Sequence, residues 1–254
     1  MITIRIANKE YQVEEGSTLE EIAKKYGNCE KGQIVLAYQN GHLCELYKTV
    51  DRGAEISFVT TAEKIGLDTY KRSMVLMMMK AFRDVLKARG TTGRIRVLFS
   101  LSKGFYCELD SDREHISEEI LQAVKNRMKE IVNENASIEK YTYNSRELME
   151  RFQSQGRRDK VQLFRYRRAS NANAYRLDEF EDYYYGFMVP STGYLMYFDL
   201  FAYESGFVLQ MPTKSEPHLV PDFRPQNKLY QVMKQADEWA VMLGVDTVGG
   251  LNDT

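Results

Sequence analysis

Arginines and aromatic residues dominate the stretch of this chain best suited to chemistry on a polyanion. Residues 157–168 read Arg-Arg-Asp-Lys-Val-Gln-Leu-Phe-Arg-Tyr-Arg-Arg, six cations against one carboxylate. A guanidinium fork engages phosphate oxygens two at a time, and interleaved rings offer flat faces on which bases stack. Arg165, Arg167 and Arg168 are therefore candidates for gripping a polynucleotide or a nucleotide, and Tyr183, Tyr184 and Tyr185 for stacking. The competing reading of these residues is a solvated charged helix followed by tyrosines buried with their hydroxyls satisfied.

Other chemistries lack their residues. His42, His115 and His218 have no ligand-like spacing with each other or with Cys29, Cys44 and Cys107, so no metal is expected. No Gly-x-x-x-x-Gly-Lys-Ser/Thr loop occurs, and Gly90-Thr-Thr-Gly93 does not approximate one, so no phosphate cradle for a kinase reaction is present. Glu108 and Asp182 are ordinary carboxylates, which leaves no catalytic residue and no cofactor to name. A net charge of −1 means that an anionic partner must be met by a local patch. Three widely spaced cysteines suit a reducing compartment. The longest apolar run, 74–79, is far short of a membrane span, and the first residues lack a secretory signal, so the expected location is the cytoplasm without a membrane partner.

The patterning predicts an α+β protein. Ile2, Ile4 and Ile6, then Tyr11 and Val13, alternate as a hairpin around an Asn8-Lys9 turn. Thr18 and Glu21 form a capping box for a helix that Gly27 should stop in the left-handed conformation. Strands at 34–38, 43–46 and 55–59, the first two joined by Asn40-Gly41, complete a ββαβββ β-grasp over residues 1–61. A long helix from Glu63 to about Gly90 follows, with methionines at core spacing. Next come a hairpin through Ser102-Lys103-Gly104, a helix opened by Ser117 and a short helix capped by Asn144. Late strands at 194–198 and 206–210 close a second domain, 62–224. Residues 225–254 read as a helix and linker, and the amphipathic segment 223–243 as a surface for packing on another chain in a homo-oligomer.

Two resemblances sharpen this reading. Gly16-Ser-Thr-Leu-Glu-Glu-Ile-Ala23, Gln39-Asn-Gly-His-Leu-Cys-Glu-Leu46 and Asp51-Arg-Gly-Ala-Glu-Ile56 resemble the TGS domain, a ubiquitin-like module associated with RNA or nucleotide recognition. Lys103-Gly-Phe-Tyr-Cys-Glu-Leu109, Asn126-Arg-Met-Lys-Glu-Ile131 and Val189-Pro-Ser-Thr-Gly193 resemble the second additional domain of threonyl-tRNA synthetases, which edits mischarged tRNA. That family carries a block of the form D-L-C-R-G-P-H-V-P-S-T-G whose Cys and His join an upstream H-x-x-x-H as zinc ligands. Here the block is Asp182-Tyr-Tyr-Tyr-Gly-Phe-Met-Val-Pro-Ser-Thr-Gly193, with Tyr184 and Met188 at the ligand positions and Arg72 and Leu76 near the upstream pair.

The stretches 71–81, 163–168, 182–193, 207–210 and 239–251 also look like the amino-terminal half of clostridial-type nucleoside kinases of the uridine kinase family. The resemblance implies a former editing cleft without its metal, a P-loop kinase domain as partner in relatives, and a chain that is a fragment or a stand-alone homologue and does not phosphorylate uridine. Lys103, Ser191 and Thr192 are further polar candidates for that cleft. The function expected is a non-catalytic recognition or regulatory module for tRNA-like RNA or a nucleotide, against a metal-independent aminoacyl-ester hydrolase.

Overall fold

Alternating isoleucines give the strand Ile2–Ile6 one dry face, and it pairs antiparallel with Lys9–Val13. The computed structural model describes residues 1–243, at 241 the backbone alone. Ile6 faces Lys9 in the register, so the turn is Ala7-Asn8, both at positive φ, rather than Asn8-Lys9. Helix α1 (Leu19–Tyr26) carries the full capping box: Glu21 N–H donates to Thr18 Oγ1, and Thr18 N–H donates to the Glu21 carboxylate. Gly27 does not stop α1 in the left-handed conformation; its backbone is extended, φ −77° and ψ 154°. Space is what requires glycine there, since a Cβ would lie 2.3 Å from Ile34 Cδ1 and 2.4 Å from the Ala23 carbonyl oxygen.

The strands Ile34–Gln39 and His42–Glu45 form a hairpin through Asn40 and Gly41, both at positive φ as a twist-matched two-residue turn requires. Ala54–Thr60 then inserts beside Ile2–Ile6, parallel to it and antiparallel to Ile34–Gln39. The order across the sheet is Lys9–Val13, Ile2–Ile6, Ala54–Thr60, Ile34–Gln39, His42–Glu45. Leu19, Ile22 and Ala23 of α1 pack with Ile4, Leu46 and Ile56 as one core. This is a β-grasp.

Helix α2 (Lys64–Ala88) follows, buried on most of its circumference, with Met74, Met77 and Met78 inaccessible as core filler. Gly66 lets it start against the sheet, because a Cβ there would fall 2.1 Å from the Thr60 carbonyl oxygen. The strands Arg94–Leu101 and Gly104–Asp110 turn through Ser102 and Lys103, both at positive φ. With Gly206–Gln210 and Asp199–Tyr203 they make a four-stranded antiparallel sheet, and Phe82 of α2 stacks on Phe207 at 4.9 Å. Helix α3 (Glu118–Glu134) starts at the Ser117 cap and ends at Asn135 in the left-handed region. Residues 194–198 form no strand: a 3-10 turn, Thr192–Tyr194, leads into an irregular stretch, and pairing begins at Asp199. The hydroxyl of Tyr70 holds both the N–H and the carbonyl of Tyr197 at 2.9 Å, so side-chain bonds replace ladder bonds there.

The chain divides into two compact units, one of Met1–Glu139 with Gly186–Phe223, the other of Lys140–Tyr185 with the chain from Arg224 onward. In the second, α4 (Ser145–Ser154), capped by Asn144, and α5 (Arg158–Arg165) accompany the strands Glu139–Asn144, Asn171–Leu177 and Phe180–Tyr183. Leu148, Phe152, Phe164, Ala174 and Tyr183 form its core. The last described helix is α6 (Asn227–Met242). The linker expected over its final residues, 244–254, lies outside the described residues. Among the described residues no helix is long and apolar enough to cross a membrane.

Candidate functional site

Where the metal-binding block would bring ligands, this chain brings structural hydrogen bonds. Arg72 on α2 donates from Nη1 to the Phe187 carbonyl at 2.6 Å. Its neighbour Ser73 donates from Oγ to Met188 Sδ at 3.3 Å and accepts from Val189 N–H at 3.0 Å. The buried Glu45 carboxylate accepts from Met188 N–H at 3.0 Å. Gly186, at φ 117°, is the one residue type that fits, since a Cβ would lie 2.7 Å from the Arg72 guanidinium carbon. Leu76 and Met188 are buried as apolar core.

A permanent cation, an aliphatic chain, a phenol and a neutral thioether at the four positions do not fit zinc. Among the described residues no group of three or more His, Cys, Asp or Glu side chains converges as a metal site.

The rest of the block anchors α3. Thr192 is fully buried, and its Oγ1 donates to the Ile131 carbonyl at 2.6 Å, while its N–H donates to Ala136. Ser191 Oγ at 2.6 Å and Gly193 N–H at 3.1 Å both donate to Asn135 Oδ1. Thr192 thus closes an orphan carbonyl near a helix end. Ser191 borders an open groove of about 450 Å³ that Glu20, Lys24, Cys29 and Tyr194 also line. Lys103 occupies the tip of its hairpin at φ 65°, exposed and without a hydrogen bond or ion pair among the described residues.

In the second unit the buried Asp182 organises the basic segment. Its Oδ2 lies 3.1 Å from Arg157 Nη2, its Oδ1 3.2 Å from Lys160 Nζ, and Tyr183 N–H donates to Oδ1 at 2.7 Å. Burial pulls the pKa of Arg157 down, but the Asp182 and Asp159 carboxylates outweigh it and leave the group raised. Burial, and then the Asp182 charge, raise Tyr184 well above the usual phenol range, so it stays neutral. Asp182 thus ties Arg157 and Lys160 into the structure.

These contacts sort the candidates. Arg167 is structural: its guanidinium donates to the Tyr183 hydroxyl and the Asn171 carbonyl, and lies 5.2 Å from the Tyr183 ring centre. Tyr183 packs edge-on against Phe164 inside the core. Tyr184 is half-buried with Lys160 Nζ 5.9 Å over its ring, whereas Tyr185 is 81% exposed. Arg165 and Arg168 are exposed, their side chains with no hydrogen bond or ion pair to a described residue. The side chain of Arg158 shares that condition. The signal was present: Arg158 and Arg165 are seven apart, two turns on one face of α5, while Val161 and Phe164 turn inward.

An α+β chain with a β-grasp and this block falls in the sequence neighbourhood of aminoacyl-tRNA ligases. No protein-family model matches the chain. It is 27% identical over 200 residues to a threonine–tRNA ligase of Thermotoga maritima, covering 78% of this chain and 30% of that protein. Similar ligases are those of Carboxydothermus hydrogenoformans, 28% over 202 residues (79% and 31%), and Fusobacterium nucleatum, 30% over 182 residues (71% and 28%). The chain spans about a third or less of the length of these relatives.

Proposed function

We propose that this chain is a non-catalytic recognition module for tRNA-like RNA. The observation that carries the reading is the set of exposed arginines, Arg158, Arg165 and Arg168, whose side chains have no partner among the described residues, in a chain 27% identical over 200 residues to a threonine–tRNA ligase. Residues 140–185 hold ten Lys and Arg against seven Asp and Glu, a local excess of three within a chain of net charge −1. Such a patch attracts phosphates where the average charge does not. Tyr185 supplies a ring for stacking, while Arg167, Tyr183 and Tyr184 support the fold beneath. The non-catalytic part rests on Asp182, tied to two cations, and on the non-ligand residues at the metal positions.

On this reading residues 1–61 are the TGS-like domain, 62–224 the editing-domain-like part and 225–254 the connection toward a nucleoside kinase domain in relatives, whose activity RNA or nucleotide binding would regulate in the cytoplasm. Labelled tRNA should bind with strong salt dependence. Each phosphate contact adds about 0.9 to the slope of log K against log salt, so Arg165→Ala/Arg168→Ala should lower the slope by about 1.8. No binding at millimolar tRNA, or an unchanged slope, refutes the proposal. Deacylation of seryl-tRNA above background, lost in Lys103→Ala, would establish the hydrolase instead.

A further inference from the structure

Two lysines of the first unit carry charges that no described residue pairs. Lys71 is half-buried on α2, its Nζ 5.9 Å from the centre of the Phe105 ring, and its side chain makes no hydrogen bond or ion pair with a described residue. Burial pulls its pKa below the ordinary lysine range, and the charge of Asp68, one turn away on α2, opposes that shift without forming an ion pair. A desolvated ammonium without a counter-ion is unfavourable, so its place there points to a partner outside the chain.

Lys103 stands two residues before Phe105, and its turn is held in an unfavourable shape. Among the described residues three hairpins turn through two residues that are both at positive φ: Ala7-Asn8, Asn40-Gly41 and Ser102-Lys103. Glycine and asparagine adopt that conformation most readily, and Asn8 and Gly41 fill the second place of the first two turns; the third has Lys103 there, at φ 65°. A buried amide fixes it. Gln210, inaccessible in its strand, donates from Nε2 to the Ser102 carbonyl at 2.6 Å, while its Oε1 has no partner among the described residues. A strained backbone and an orphaned acceptor are both tolerated where they set the position of one exposed cation, a pattern of binding sites. We propose that Lys71 and Lys103 bind a phosphate group. Lysine meets phosphate as a point charge, and a phosphate beside Phe105 gives Lys71 the counter-ion it lacks. The phosphate is that of RNA, for which this inference rests on the recognition module proposed above, or of a free nucleotide.

The probes are tRNA and uridine monophosphate, added to the full chain carrying carbon-13 at lysine Cε. The Lys71 resonance should titrate at lower pH than those of exposed lysines, and should move to higher pH when the probe binds. Lys71→Met and Lys103→Gly should each weaken the probe by about tenfold. Their melting temperatures should stay at the wild-type value or rise, since one change removes an unbalanced charge and the other relieves the turn; a lower melting temperature in both would mean lysines that serve the fold, and would overturn the site. Movement with tRNA alone assigns the phosphate to the RNA backbone, and movement with uridine monophosphate as well assigns it to a nucleotide. A Lys71 resonance that neither probe moves, or wild-type affinity in both variants, overturns the proposal. If tRNA binding keeps its dependence on Arg165 and Arg168 in that event, the recognition module stands without this site; if uridine monophosphate moves Lys71 while tRNA fails to bind, this site stands without the module.

Discussion

Removing the charge of Asp182 should loosen the second unit while leaving the β-grasp intact. Its side chain is 1% exposed and faces Arg157 and Lys160, each below one-fifth exposed, at 3.1 and 3.2 Å. At an effective dielectric constant of about 20, each contact is worth roughly 5 kcal/mol of Coulomb attraction, most of it offset by desolvation. Breaking the set from the anion side leaves two poorly hydrated cations facing each other, at a cost of about 3–5 kcal/mol for Asp182→Ala. Asp182→Asn keeps an acceptor for Tyr183 N–H and should lose about 2–4 kcal/mol. Lys160→Ala leaves Arg157 in place and should lose only about 1 kcal/mol. Hydrogen exchange read by mass spectrometry separates the units, with faster exchange expected in peptides from 140–185 and little change over 1–60. Wild-type protection in Asp182→Asn, or a uniform loss along the chain, would refute the reasoning.

The remaining predictions concern the glycine, the phenols, the arginine ring contact and the metal. Gly186→Ala forces a left-handed φ on alanine and a methyl into Arg72, so a loss of about 2–4 kcal/mol is expected in urea unfolding, and a wild-type midpoint would count against the Arg72 clamp. Burial, then the Glu45 charge, push Tyr47 up to about 12, and burial foremost also raises Tyr70 and Tyr194. A folded pKa above the unfolded value of 10 favours the neutral phenol, so this stability is complete below pH 10 and drains away as pH rises toward 12. Ultraviolet titration should show these phenols ionising together with loss of circular dichroism; smooth ionisation of all three near pH 10 in the folded protein would contradict the reasoning. Arg167→Ala should lower the melting temperature of the second unit with little change in the salt slope of RNA binding, the reverse of Arg165→Ala. Zinc in excess should leave the melting temperature unchanged, and stoichiometric zinc in protein purified without chelator would overturn the account of the cleft.

Local chemistry was readable wherever it was decided locally. The Thr18–Glu21 box, the Asn40-Gly41 turn and the Ser117 and Asn144 caps each stand where residue types within four positions place them. The errors arose where distant groups decided. Gly27 answers to Ile34, and residues 194–198 answer to Tyr70 on α2. The site divided in the same way. That six cations cluster between 157 and 168 is evident from the sequence, but which are consumed depends on Asp182 and Tyr183. Arg157, Lys160 and Arg167 became part of the architecture; Arg158, Arg165 and Arg168 did not, and spacing alone could not assign each to its group.

The parallel pairing of Ile4 with Ala54 has a consequence during synthesis. During synthesis the strand Ile2–Ile6 must wait about fifty residues for its inner neighbour, and until then the nascent hairpin exposes an unpaired isoleucine-bearing edge. Helix α1, with its strong cap, follows at once and packs on that hydrophobic face. A ribosome stalled before Thr60 therefore holds a sticky, unfinished sheet, and one stalled shortly after the β-grasp clears the exit tunnel holds a closed one.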